Sequence, residues 1–507
     1  MNMNLFLTGA VVLGIGLTAC NKTDTPFPDR EKGTTYAGMY VSAITKVTSK
    51  AVNDHQEDYD GRAQEGKLSH LNLLGTWDSQ EWEYAASEAP GKFWPLTSTP
   101  GMYKVSPWKT NTGDQAMALV FNKENLSLDV SLAETATYGK AGSESDNIGA
   151  LSTDDKFVMT SASKLKTILG GVTEDDANSG SDETKNVFSF DVERVVAQGM
   201  VIKGDNLQAT TTDKKGKVKL TDLTYAAVNG AVKTYIFGNH AGSRTLDVTS
   251  QMYTDFKSAI DDYTEFQNAQ DPADVKNYLI RLGNLIPEGT TPGTNDQLKN
   301  YKAIPVEENL DAAKAKRGVY FMENSVKNSE FTTTNKDYGF YRLAYAKVYT
   351  TYTPNEVYYW DAGSKSLKKE TGTEGMTFYV GEKDGLVYKD KESAKHSLTH
   401  TDQTKSYTYT HGRCAYRVLW NRQEKDKIVV NADTRRNNTY VLKIVAFQGL
   451  GMPWDSSDPR DPNLPKPVDP DEPNKPDDPD IEKEKTYMRV EGKVLKWNLV
   501  SRDVVLE

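Results

Sequence analysis

Three groups of residues have types and spacings that suggest chemistry. Leu17-Thr18-Ala19-Cys20 closes an apolar run at residues 5–19 and sets small residues before a cysteine, the pattern of a bacterial lipobox whose thiol is acylated. Lys50-Ala51 and Arg62-Ala63 place a basic side chain before a small residue within a polar, turn-rich run from Ser49 to Gly66. They suit a trypsin-like protease. His396, His400, His411 and Cys414 form the third group, since imidazoles four apart on a helix can share a zinc ion. Against that metal site, no Glu follows the first His as a metalloprotease requires. The flanking Thr and Tyr also favour strands, where residues four apart are too distant to share one ion. Surface or turn histidines are therefore expected, and Cys414, beside Ala415, Val418 and Leu419, reads as a buried thiol. No nucleophile elbow, phosphate-binding loop or dinucleotide fingerprint occurs. Glu57–Asp60 and Asp175-Asp176 lack the spaced ligands and glycine of a calcium loop. The sequence thus predicts no catalytic residue, no cofactor and no metal, and a protein that is not an enzyme.

The elements that position these groups are mostly β. The 507 residues suffice for two or three domains at about 100–200 residues each. With 71 acidic against 61 basic side chains, a net charge of −10 and no dense Lys/Arg cluster, nucleic acid is excluded as the expected partner. Two cysteines cannot build a disulfide framework, so stability must come from burial. Met1–Asn4 departs from the usual export signal in having no Lys or Arg.

Thr35–Val47 alternates as a strand soon after the lipobox. Short β-prone runs such as Leu68–Leu74, Ala116–Phe121, Phe188–Val192 and Val195–Ile202, separated by turn residues, predict β-sandwich domains. Helices are predicted at Gln251–Asn268 and Pro272–Leu282, and further strands run from Gly318 to Phe447. Residues 453–485 hold nine of the 20 prolines amid Asp and Glu, the composition of an extended spacer. Beyond it, Met488, Val490 and Val494 share one parity, Leu495, Trp497 and Leu499 the other, and Val500, Val504 and Leu506 return to the first. That shift predicts two strands separated by a bend or bulge. The competing reading is an ordinary edge strand closing its own sheet.

Lipobox, strand, cleavable loop, β domains and terminal strand beyond a spacer together resemble the fimbrillins of Bacteroidetes type V pili. The likeness is closest to the shaft subunit of the short, minor fimbriae of Porphyromonas. Asp155–Ser161, Phe190–Ala197 and the Gly318–Asn324 phrase resemble that family locally. The resemblance implies a mainly β fold of two β-sandwich (transthyretin-like) domains with a few helical insertions, completed by donor-strand exchange. The implied division is a signal peptide at 1–19, a propeptide at 20–62 (or 20–50), an N-terminal domain at 63–185 and a C-terminal domain at 186–452 with the helical insert near 251–282. A spacer at 453–485 and terminal strands at 486–507 follow.

By the same resemblance the precursor is a lipoprotein anchored at the outer membrane through Cys20. An arginine-specific protease of the gingipain type removes its N-terminus after Arg62, before Ala63, or alternatively after Lys50, before Ala51. The C-terminal strand of another copy, carrying Val500, Arg502, Val504, Val505 and Leu506, then fills the vacated groove. Implied partners are further copies of the chain, accessory anchor and tip subunits, and host or bacterial surface receptors. The implied role is adhesion and biofilm formation in a fimbrium on the cell surface. A glycan-binding surface lipoprotein and a pilus tip or anchor subunit are the alternatives.

Overall fold

A computed structural model of the chain describes residues 33, 35–43, 58–59, 61–76, 79–99, 101–123, 137–138, 148–162, 164–228, 230–231, 234–237, 246–247, 252–253, 279–280, 303–323, 344–421, 423–425, 428–431, 433–453 and 488–497. The fold is mainly β, as expected. Among the described residues no helix is long and apolar enough to cross a membrane.

The first sheet contains β1 (Thr35–Ser42), β2 (His70–Gly75), β3 (Ser79–Tyr84), β4 (Lys92–Pro95), β5 (Met102–Thr110), β6 (Gly113–Phe121), β7 (Met159–Ser161), β8 (Lys164–Ile168) and β9 (Val187–Arg194). Its order is β8-β6-β2-β3-β4-β5-β1-β9-β7. Because β7 pairs a second time, with β6 at Val120 and Phe121, eight of these strands close into a ring. Closure leaves the eight ring strands paired on both sides over part of their length, while among the described residues β8 keeps one unpaired edge. The two-residue period is plain along β9, where Phe188, Phe190 and Val192 are buried while Ser189 and Asp191 are exposed. Helix α1 (Glu174–Ser179), capped by the Thr173 hydroxyl accepting from the Asp176 N–H, lies outside the ring beside β1 and β5.

The chain leaves the ring at Val195. β10 (Val196–Lys203), β11 (Thr224–Val228), β12 (Val319–Met322) and β13 (Tyr345–Pro354) lead to an inserted sheet of β14 (Glu356–Asp361), β15 (Ser366–Thr371), β16 (Phe378–Gly381), β17 (Val387–Tyr388) and β18 (Ser406–Tyr409). β19 (Arg413–Leu419), β20 (Asn438–Phe447) and β21 (Met488–Trp497) follow. One sheet has the order β21-β20-β10-β12, and another has β11-β13-β19 at its centre. Aromatic side chains join their facing surfaces. Trp420 stacks on Phe321 at 5.3 Å, Tyr416 meets Phe447 at 5.0 Å, and β10 has Gly199 where a β-carbon would stand 2.6 Å from the Trp420 ring.

Three expectations are corrected. The passage between the first and second sheets falls at Val195 rather than near residue 185, because Val187–Arg194 pairs with β1 and not with the strands that follow it. Periodicity identifies a strand without identifying its sheet. Met252–Tyr253 and Leu279–Ile280, inside the predicted helices, are extended and pair with Leu246–Asp247 and Gly230–Ala231, so cross-strand pairing overrides helical spacing there. The remaining residues of 251–282 lie outside the described residues. Finally, Met488–Trp497 is one strand. Its pairing with β20 runs without a break through Val494 and Leu495, and the register irregularity falls instead between Ile444 and Ala446, opposite Val490 and Arg489.

Candidate functional site

The feature with functional content is the seat of β1. This strand lies between β5, antiparallel to it, and β9, parallel to it, so its backbone is paired on both sides. Along it Thr35, Ala37, Met39, Val41 and Ala43 are at most 1% exposed. Met39 is in register with Phe188 of β9 and Val105 of β5, and Val41 with Phe190 and Tyr103. Burial of Met39 and Val41 contributes about 1.5–3 kcal/mol each before ordering costs. The strand carries no charged residue, which suits a position buried within the ring.

The start of β1 is latched by polar groups. The Thr35 hydroxyl donates to the Leu169 carbonyl at 2.8 Å and accepts the Val172 N–H at 3.1 Å. Asn186, fully buried and in the left-handed region at φ 53°, donates through its side-chain amide to the Tyr36 carbonyl at 2.9 Å and the Leu169 carbonyl at 2.8 Å. Its side-chain oxygen accepts the Leu169 N–H at 2.7 Å. A buried amide satisfied this fully fixes the 169–172 turn and the first residues of β1 against each other. On the outer face, a β-carbon at Gly38 would stand 2.5 Å from the Ala177 carbonyl oxygen of α1.

Arg62 and Ala63 fall at a tight turn, where Arg62 is part-buried and Ala63 is exposed. Arg62 precedes the 3-10 turn Ala63–Glu65, its side chain is 14% exposed, and its guanidinium bonds Glu65 at 2.8 Å and Asp154 at 2.8 Å. Burial opposes the Arg62 charge, but the Asp154 carboxylate, with Tyr320 and Glu65, more than offsets it and raises the pKa. Glu65 is fully buried and also accepts from the Tyr320 hydroxyl and from Gln198. Burial, and then the Glu65 charge, push the Tyr320 hydroxyl well above its ordinary pKa, so it remains a donor. The buried Arg194 donates to the Glu65 carbonyl at 3.0 Å and to the Asn437 side chain at 3.3 Å. This network joins the ring to the sheet of β10, β12 and β20.

Cys20, Lys50, Ala51, Val500, Arg502, Val504, Val505 and Leu506 lie outside the described residues, as do the end of the predicted first strand at 44–47 and nearly all of the spacer. Among the described residues, the histidines and Cys414 assemble no metal site. His396 stacks on Trp360 at 3.9 Å, and His411 sits in a turn with its N–H donating to the Thr377 hydroxyl. Cys414 is fully buried, and its thiol, pushed up to about 12 by burial, donates to the Tyr416 hydroxyl at 3.8 Å.

The C-terminal strand β21 completes its own sheet beside β20. Its other edge meets Asp58–Tyr59 in parallel, with Tyr59 opposite Trp497. β21 thus ends at Trp497 beside Tyr59, three residues before Arg62. Sequence reasoning missed Gly38, Asn186 and the Glu65 network. A glycine within an alternating strand signals close backbone approach and was available at Gly38, whereas partners distant in sequence leave no such trace.

A comparison with curated proteins returns no match. Among solved structures, a protein assigned to cell adhesion from Parabacteroides distasonis is 11% identical, with 92% of this chain and 100% of that chain covered, at a TM-score of 0.43. A fimbrilin (FimA) from Porphyromonas gingivalis is 14% identical over 92% of this chain and 99% of its own, at 0.40. The tip fimbrial protein Mfa3 from Porphyromonas gingivalis, with a C-terminal truncation, is 10% identical over 91% and 100%, at 0.32. Residues 407–503, which run from β18 past β21, match the model of the family described as major fimbrial subunit protein type IV, fimbrillin, C-terminal, a family of structural, non-enzymatic pilins, and this part of the chain is fimbrillin-like.

Proposed function

We propose that this chain is a structural subunit of a short fimbria, polymerising head to tail by strand exchange after proteolytic loss of a lipidated N-terminus. The observation that carries the reading is the seat of β1. A strand encoded upstream of both basic cleavage candidates is an interior member of a closed ring. Cutting downstream of it and withdrawing it would leave β5 and β9 with unpaired backbone edges beside Phe188, Phe190 and Val105. Such a groove is satisfied by adding another extended segment. Residues 498–507, ten residues beyond β21, span about 33–36 Å when extended, enough to reach out of their own subunit. Burial of Val500, Val504 and Leu506 would contribute roughly 1.5–3 kcal/mol each before ordering costs.

Within this reading Cys20 is the acylation site and the outer membrane the precursor's location. The partners are further copies of the chain, anchor and tip subunits, a gingipain-type protease and surface receptors. We put the cut at Lys50-Ala51, reversing the preference for Arg62 that the sequence and an arginine-specific protease suggest. Arg62 is the alternative, but a protease needs its basic side chain free and the backbone around it extended, and Arg62 is bound into Glu65 and Asp154. A cut after Lys50 also leaves Asp58–Tyr59 on the edge of β21. Intact mass of chains shed from the cell surface tests this: the expected form begins at Ala51, with Ala63 as the alternative, and a surface form retaining an acylated Cys20 would contradict it.

A further inference from the structure

The inserted sheet of β14–β18 leaves the chain after β13 and returns before β19, two strands that pair directly with each other, so neither flanking sheet needs it. On it lies a cavity of about 380 Å³ between helix α2 (Lys391–Ala394) and the β16–β18 edge. Lys391, Lys395 and Lys405 are among its lining residues, beside a single acidic one, Glu382. Among the described residues only Lys395 of the three has a carboxylate partner, Glu392 at 2.7 Å. Lys391 lies over the Tyr379 ring at 5.9 Å. Thr404 also lines it, and Tyr407, 51% exposed, lies at its edge.

The walls are preformed. Gln403, buried beneath the cavity, donates to the Ala394 carbonyl at 2.6 Å and accepts the Lys383 and Asp384 N–H groups at 3.1 Å each. This holds α2 and the 382–386 turn in fixed relation. The helix itself is capped by Asp390, which accepts the Ser393 N–H at 2.7 Å.

We infer that this cavity binds an acidic saccharide. Its carboxylate would face Lys391 and Lys405, its hydroxyls would meet Thr404 and Glu382, and its apolar ring face would lie on Tyr407. An inorganic anion would need the ammonium groups alone, and an apolar ligand would leave them unpaired at the binding surface. Only a ligand with a charge, several hydroxyls and a flat apolar face uses all three kinds of group. The inference rests on the surface receptors named among the proposed partners and does not depend on strand exchange.

The test is saturation-transfer NMR on the full chain carrying Cys20→Ala, with 3′-sialyllactose as probe and lactose and inorganic phosphate as comparisons. The expected result is transfer from protein to sialyllactose, binding at least tenfold weaker for lactose, and no displacement by equimolar phosphate. Tyr407→Ala and Lys405→Glu, both at exposed positions, should each weaken sialyllactose binding at least tenfold while leaving the melting transition unchanged. Absence of transfer, equal binding of lactose, displacement by equimolar phosphate, or variants that bind like the parent would overturn the inference. Any of these would leave polymerisation untouched.

Discussion

Gly38 passes beneath helix α1 so closely that a β-carbon there would stand 2.5 Å from the carbonyl oxygen of Ala177. The contact ties the strand proposed for removal to a helix that stays with the mature chain. Gly38→Val should therefore destabilise the precursor by about 1–3 kcal/mol, the usual cost of overpacking. Thermal unfolding of the precursor reads this directly. Fibres assembled from processed chains no longer contain residue 38 and should melt as the parent does.

The segment proposed to replace β1, Asn498–Glu507, contains no glycine. Whichever of its residues comes to lie opposite Ala177 has a β-carbon, so α1 must shift outward when the groove is refilled. Hydrogen exchange should show the Ala177 N–H, which donates to the Thr173 carbonyl in the precursor, exchanging faster in fibres. Equal protection in both states would show that the replacing strand leaves α1 in place.

Glu65 is the buried centre of the Arg62 turn. Glu65→Gln removes one partner of a largely buried pair, with an expected loss on the order of 3 kcal/mol. It should also release Arg62 into reach of proteases. Limited trypsin digestion should leave the Arg62–Ala63 bond of the folded parent intact and cut it in the variant. Rapid cleavage of the parent at that bond would restore Arg62 as the processing site.

Cys414 provides a pH signature. Burial pushes its thiol from an ordinary value near 9 to about 12, so the folded state holds the proton where the unfolded state releases it. Its contribution is complete below pH 9 and declines as the pH rises from there toward 12. Cys414→Ala should flatten that alkaline decline in denaturant titrations. The native thiol should resist alkylation at pH 8 and react once the chain unfolds.

How much of this was legible in the sequence follows from the range of the interactions. Period-two alternation located β1, and short β-prone runs bounded by turn residues located β9 and β10, because both signals are local in sequence. It did not reveal that β9 pairs with β1 while β10 pairs with β20, since Arg194 and Val196 are nearly adjacent and sheet membership is decided by partners up to about 240 residues distant. Arg62 was recognisable as a basic residue before alanine. Its burial was not, because Asp154 and Tyr320 are remote in sequence. The parity change after Val494 implied a break that the pairing with β20 absorbs without one.

The central claim is that the C-terminal segment fills the seat vacated by β1. The most direct measurement compares, by electron microscopy and sedimentation, processed chains with and without Val500–Glu507, and then adds a synthetic peptide of residues 498–507. The account predicts fibres from the complete chain, folded monomers from the truncated one, and one peptide bound per truncated subunit. Fibres of normal length from the truncated chain would contradict it.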